Sequence, residues 1–316
     1  MTKLTKIFVF FALLCTLPLG AQRPGIRIST VNGEAVLDQA NLEYSVNWLS
    51  HEETGGRKTG TTGSHRVAGW IGEHFRSMGL KPLDGTYYHG FKTSAGSFAR
   101  NVMGMIPGSR EGELVVVMAH YDNLGMLDGT FYPGADSNAS GVAALIEIGR
   151  MFARMKECGK SYSSTLLLVA TDAKEHDMAG ARALESWLSR KELTPTLVVN
   201  LDQLGCTLSP LHPDRPDYLM MLSEPTSGRR SSLISANEGL GLDLGFDYYG
   251  SQDFTRLFYR RICEQAVFLE KGIPAVMFTS GITLNNNKPR DKADTLDYRV
   301  LTLRVRLIFR YLAKIL

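Results

Sequence analysis

Apolar and polar positions along the chain fall into two alternating kinds of segment. Leu114–Met118 (LVVVM) is a continuous apolar run, and Ser163–Ala170 carries TLLLVA after two serines. Thr196–Leu201 and Ala275–Thr279 are similar in length and aliphatic content. Such runs predict strands covered on both faces. Phe98–Ile106 alternates more weakly and ends at the turn signal Pro107-Gly108, which predicts one more strand. Other segments carry helical spacing. Ala68, Ile71, Phe75 and Met78 share one face, and Gly79 closes the run. Ala139–Phe152, Met178–Leu188 and a terminal stretch from about Leu301 to Leu316 read as helices, and Leu42–Trp48 can form another. Glycines 55, 56, 60 and 63 break the chain into a turn-rich loop that runs on through Ser64 and His65. Strands alternating with amphipathic helices predict an α/β fold, a mostly parallel mixed sheet sandwiched between helices. The region 207–262, rich in Gly, Ser, Asp and Tyr, is expected to hold one or two further elements and long loops around a site.

Composition narrows the picture. Hydrophobic residues make up 44% of the 316 positions and charged residues 21%, which supports a packed core and excludes global disorder. A formal net charge of +3 carries no signature of nucleic-acid binding. Lys3 and Lys6 precede the run FVFFALLCTLPLG and then Ala21, the layout of a signal peptide over residues 1–21. Cleavage after Ala21 leaves Gln22 as the first residue and a single domain over 22–316, exported to the periplasm or the exterior. The apolar run is short for a membrane span, so none is expected to remain after cleavage. Leu14 before Cys15 is bulky where a lipidation site takes a small residue. Loss of Lys3 and Lys6 lowers the charge from +3 to +1. Cys158, Cys206 and Cys263 survive cleavage and form no CxxC pair or disulfide framework. They read as buried free thiols.

Polar residues cluster where the predicted strands end. LVVVM leads into Ala119-His120-Tyr121-Asp122, TLLLVA into Thr171-Asp172-Ala173-Lys174-Glu175-His176-Asp177, and the third run into Asp202-Gln203. Gly134-Ala135-Asp136-Ser137-Asn138 stands just before a predicted helix. Ligands of open α/β sheets bind outside the carboxyl ends of strands, so His120, Asp136, Glu175 and Asp202 can meet at one edge. Imidazole and carboxylate are zinc ligands, and Asp122 is placed to hold the second nitrogen of His120. Each residue also has an ordinary reading. Asp136 and Asn138 can cap a helix, His120 can be a satisfied core histidine, and Asp172, Glu175 and Asp177 can form a solvated turn.

The segments GRKTGTTGS, NVMGMIPG, VVVMAHYDNLG, GADSNASGVAALIEIGR, LLLVATDAKEHDMAGARAL, VVNLDQLG, FLEKGIPAVMFTSG and PRDKADTLDY occur in an order and spacing that resemble the M28 family of metallopeptidases, the co-catalytic zinc aminopeptidases. The resemblance spans most of the mature chain and implies a zinc-exopeptidase-like sheet with two zinc ions at its carboxyl edge. It implies that His120 and Asp202 hold one zinc, Asp136 bridges, Glu175 binds the other and Asp122 orients His120.

Two expected residues are missing. Lys174 stands where the family has its general base, and an ammonium cannot accept a proton. Asn287 takes the place of a late histidine that completes the second zinc, and no histidine follows His212. Ser137 replaces a usual acid, and Cys263-Glu264-Gln265 replaces Ser-Asp-His. His176, beside Glu175, is the one nearby imidazole.

The resemblance therefore implies an exported M28-type homologue with reduced or lost peptidase activity. Its cleft would take a peptide or a protein N-terminus and at most one tightly bound zinc, or none. The alternative is an active aminopeptidase that uses one metal or a non-standard base such as Asp172 or Glu264.

Overall fold

The computed structural model describes residues 33–206, 214–225, 227–248 and 250–316. The expected signal peptide at 1–21 lies outside them, as does the stretch 207–213. The strands are β1 (Tyr88–Lys92), β2 (Phe98–Ile106), β3 (Leu114–His120), β4 (Gly125–Leu127), β5 (Thr130–Tyr132), β6 (Thr165–Thr171), β7 (Leu197–Leu201), β8 (Leu219–Ser223), β9 (Leu244–Gly245) and β10 (Ala275–Thr279). The helices are α1 (Gln39–Leu49), α2 (Thr62–Ser77), α3 (Ser140–Glu157), α4 (Ala179–Arg190), α5 (Arg229–Ala236), α6 (Gln252–Leu257), α7 (Gln265–Leu269) and α8 (Tyr298–Ala313).

Eight strands form one sheet in the order β1-β2-β6-β3-β7-β10-β8-β9, and β4 and β5 pair as a separate ribbon. The ladders β6–β3, β3–β7 and β7–β10 are parallel. Those of β2 with β6 and β8 with β10 are antiparallel. This is the mixed sheet that the pattern predicts, and its parallel centre brings the carboxyl ends of β6, β3, β7 and β10 to one edge.

Burial on both faces explains the unbroken apolar runs. Every residue of β3 is buried. Successive side chains of a strand point to opposite faces. Val115 and Val117 join the core packed with α1, α2, α3 and α8. Val116 and Met118 join a second core with α4 and α7. Each fully buried aliphatic side chain contributes ~1.5–3 kcal/mol, so the centre of the sheet is the strongest part of the fold. The described residues belong to one compact unit. Among them no helix is long and apolar enough to cross a membrane.

The region 207–262 is more regular than expected. Its described part holds β8, α5, β9 and α6. Leu219–Ser223 (LMMLS) has no β-branched residue and is only five residues long, so it gives little strand signal. Pairing with β10 and full burial make it a strand all the same.

Candidate functional site

His120 is the last residue of β3 and is buried between two carboxylates. Its Nδ1 lies 3.1 Å from the carbonyl oxygen of Asp122 and 3.6 Å from Asp122 Oδ1. Its Nε2 lies 3.6 Å from Asp202 Oδ1, at the end of β7, and has no hydrogen-bond partner. At 3.6 Å these carboxylate contacts are ion pairs rather than hydrogen bonds. Burial lowers the pKa of His120, but Asp122 and Asp202 more than offset this and hold it up at about 10. Burial alone would raise the pKa of Asp202, and its interactions with His120 and Lys174 bring it below the ordinary value.

The turn after β6 delivers Lys174 and Glu175. Ala173 enters it at φ 59°, a left-handed conformation, and Gln203 leaves β7 in the same region at φ 62°. Lys174 Nζ donates to Glu175 Oε1 at 3.1 Å. Burial works against the Lys174 ammonium, yet Asp202 and Glu175 raise its pKa above the usual lysine value. A lysine so placed stays charged and cannot serve as a base. Cys263 lies beside the same group. Burial and Asp202 push its thiol well up, so it is not a thiolate nucleophile.

A cavity of about 240 Å³ opens beside this cluster. Lys174, Asp202, Gln203, Asn286 and Asn287 form its polar side, and Tyr248, Phe258, Ile262, Met277 and Ile282 its apolar side. Tyr248 and Phe258 stack with ring centroids 4.1 Å apart. Asn287 adopts φ 54°, which asparagine tolerates better than most residues.

His120, Asp122, Lys174, Glu175 and Asp202 thus come together. Of these only Lys174 and Asp202 line the cavity; Asp136, at the turn before α3, is held by other bonds. Its Oδ1 accepts the Gly205 N–H at 2.7 Å and the Ser140 hydroxyl at 3.1 Å. Burial raises its pKa against these bonds. Asn138 Oδ1 accepts the Gly141 N–H at the start of α3, whose N-cap residue is Ala139. His176 is not part of the cavity wall either.

Several supporting residues escape sequence reasoning. Asp291 accepts the N–H groups of Asp136 and Ser137 at 2.8 and 3.1 Å, fixing the turn before α3. Burial and Asp136 raise its pKa to about 6. Arg57 is fully buried and donates to the carbonyls of Tyr121, Leu49, Pro133 and Gly134 at 2.7–2.8 Å. Both residues sit inside motif segments, PRDKADTLDY and GRKTGTTGS, but nothing in their spacing marks them. Asp172 is fully engaged, accepting from Thr59, Tyr121 and the N–H groups of Arg100 and Ala173. Glu264 accepts from Thr171 on Oε2 at 3.0 Å, and its buried Oε1 has no partner. Burial raises its pKa to about 7.

These residues do not fit a two-zinc centre. The Lys174 ammonium occupies Glu175, the carboxylate that the family resemblance assigns to the second zinc, and would repel a divalent ion by several kcal/mol. Asn287 offers an amide, a poor zinc ligand beside imidazole. Among the described residues no three His, Cys, Asp or Glu side chains converge to hold an ion. His120 and Asp202 offer two donors, with Nε2 free of other bonds.

Known proteins resemble this chain in sequence or in fold. Uncharacterized protein YfbL of Escherichia coli is 24% identical over 213 residues, 61% of this chain and 64% of that protein. The BOS complex subunit NCLN of Gallus gallus is 31% identical over 127 residues, 40% of this chain and 19% of that protein. The chain thus spans less than two thirds of the length of these relatives. The structure of BSAP, a zinc aminopeptidase from Bacillus subtilis, superposes with a TM-score of 0.68 at 13% identity, covering 88% of this chain and 95% of that one. At that identity the likeness shows the fold, a sandwich of helices about a mixed sheet. The model of peptidase family M28 matches residues 101–312, which include every residue of the cluster, and on that match the chain belongs to peptidase family M28.

Proposed function

We propose that this protein is an M28 relative with reduced or lost peptidase activity, whose cleft binds a peptide or a protein N-terminus without turnover. The observation that carries the reading is Lys174. It stands where the family resemblance expects a proton acceptor, carries a fixed positive charge and is paired with Glu175. Loss of a general base alone typically costs ~10²–10⁴ in rate. The cavity beside it offers amides and apolar side chains to a peptide. The partial match to a protein named as a complex subunit suits a binding role. The basic and apolar residues 1–21 support export.

Metal content and turnover test this together. The purified chain is expected to hold no more than one zinc after dialysis, to leave aminoacyl chromogenic substrates intact and to bind unlabelled peptides by calorimetry. Two zinc ions per chain with turnover would sink the reading.

One observation favours a second reading, an aminopeptidase that uses a single ion. The buried Nε2 of His120 lacks a hydrogen-bond partner and faces Asp202. In that reading His120 and Asp202 hold the ion, while Asp136 remains bound to Gly205 and Ser140. Turnover that depends on one added equivalent of zinc would select it.

A further inference from the structure

The wall of the cavity carries one cation and one anion, Lys174 and Asp202. Among the described residues Lys174 pairs with Glu175, which lies outside the wall, and makes no ion pair with Asp202. An ammonium has three N–H donors, and Glu175 takes one. A carboxylate has about four acceptor sites. Asp202 meets His120 at 3.6 Å and the Cys263 thiol, so acceptor sites remain. The two charges thus stand apart on the wall, each with bonding capacity left.

Amides complete the polar side. Gln203 Nε2 donates to Asn286 Oδ1, which leaves the Gln203 oxygen as an acceptor and the Asn286 amide nitrogen as a donor. The apolar side is the Tyr248–Phe258 stack, continued by Ile262, Met277 and Ile282. The Tyr248 hydroxyl accepts the Ile282 N–H at 2.7 Å and so fastens the loop that carries Asn286 to this side. At about 240 Å³ the cavity is smaller than the ~300–1,000 Å³ of pockets that enclose drug-sized ligands, so it has room for one amino acid and not for a length of peptide. A small molecule with a cation and an anion close together and one apolar branch matches all three features.

We propose that the cavity takes a free α-amino acid with an apolar side chain, its carboxylate on Lys174 and the Asn286 amide, its ammonium on Asp202 and the Gln203 oxygen, and its side chain against Tyr248 and Phe258. The proposal goes beyond the peptide-binding reading and does not need it. A peptide held by its N-terminus presents an ammonium to Asp202, but only a neutral carbonyl where the free acid has a carboxylate. Charge-assisted bonds are about twice as strong as neutral ones, so Lys174 favours the free acid. The residue that stands in place of a base thereby supplies a carboxylate-binding group.

Calorimetric titration of the full chain tests it with L-leucine, leucinamide, isocaproate, glycine and the dipeptide Leu-Gly. The protein is first dialysed against EDTA, because a bound zinc would itself chelate leucine. Leucine should bind at least about tenfold tighter than leucinamide, which lacks the anion, and than isocaproate, which lacks the cation. Glycine, without the apolar branch, should also be about tenfold weaker or more. Lys174→Met should erase the difference between leucine and leucinamide, and Asp202→Asn that between leucine and isocaproate. If leucinamide or Leu-Gly binds as tightly as leucine, or if Lys174→Met keeps the preference for leucine over leucinamide, the proposal falls and the peptide-binding reading stands. If leucine binds and peptides do not, the proposal stands and the peptide-binding reading falls. If neither leucine nor any peptide binds, both fall. Should the variants fail to fold, the ligand series on the parent chain decides alone.

Discussion

Asp122 accepts the backbone N–H of Lys174 on Oδ1 at 3.0 Å and that of Glu175 on Oδ2 at 3.1 Å. One carboxylate thereby fastens the turn after β6 to the end of β3 while its other contacts face His120. The family resemblance implies only that Asp122 orients a histidine; its two backbone bonds also place the very turn that carries the lysine.

Asp122→Ala should therefore destabilise the protein by about 3 kcal/mol, with two charge-assisted bonds lost. Burial raises the Asp122 pKa, and His120 with the two N–H groups more than reverses this, leaving it depressed. Its contribution is then fully present above the unfolded aspartate value of about 4 and is lost as pH falls through the lower folded value. Urea unfolding of both proteins from neutral pH into acid checks it: the gap between them should be constant near neutrality and close in acid.

Replacing the charge at the cavity should restore a metal. In the double variant Lys174→Glu, Asn287→His, an ammonium and an amide give way to a carboxylate and an imidazole facing the same cavity as Asp202. Zinc should bind at least about tenfold tighter than to the parent, because the like-charge repulsion is gone. Mass spectrometry of metal content after dialysis reads this directly. Unchanged zinc uptake would mean that these two positions do not face a common ion.

Glu264 offers a pH test away from the cavity wall. Its folded pKa, raised to about 7, lies above the unfolded glutamate value of about 4.3. The stability linked to it is fully present below the unfolded value and is lost as pH rises through about 7. Glu264→Gln, which keeps an oxygen for Thr171, should be more stable than the parent by roughly 2–3 kcal/mol at alkaline pH and equal to it near pH 4. A difference that does not vary with pH would contradict this.

Arg57 links four carbonyls from three stretches of chain, and no lysine can reproduce that fork. Arg57→Lys should cost about 3 kcal/mol or more by leaving buried carbonyls unpaired. A fall in melting temperature with a preserved far-UV spectrum below the transition is the expected signature.

The centre of this fold was legible because physics leaves it no other pattern. β3, β6, β7 and β10 lie under two layers of helices, so their runs are apolar apart from Asn200 in β7 and the polar residues at strand ends, where the site chemistry begins. The edge strand β1 reads YHGFK, half exposed and interrupted by Gly90, and gives no such signal. The site was legible where a residue follows directly from a strand, as with His120 and Asp202. It was not legible where a turn decides the direction of a side chain. Asp136 and Ser137 are neighbours, and only the turn held by Asp291 sends the Asp136 carboxylate toward Gly205. Lys174 could be read as a missing base and as a charge beside Glu175, and the 3.1 Å bond between the two side chains gives that neighbourhood its geometry.

The left-handed backbone at Ala173 and Gln203 has a bearing on how this molecule can change over generations. Each residue costs on the order of 1 kcal/mol in that conformation, and glycine would remove the cost. A single codon change at either place offers relief to a protein burdened by damage elsewhere. It would also loosen the two turns that hold Lys174 and Asp202 in register. Robustness and shape of the cleft are therefore opposed at the same two positions, and mutational drift cannot improve one there without eroding the other.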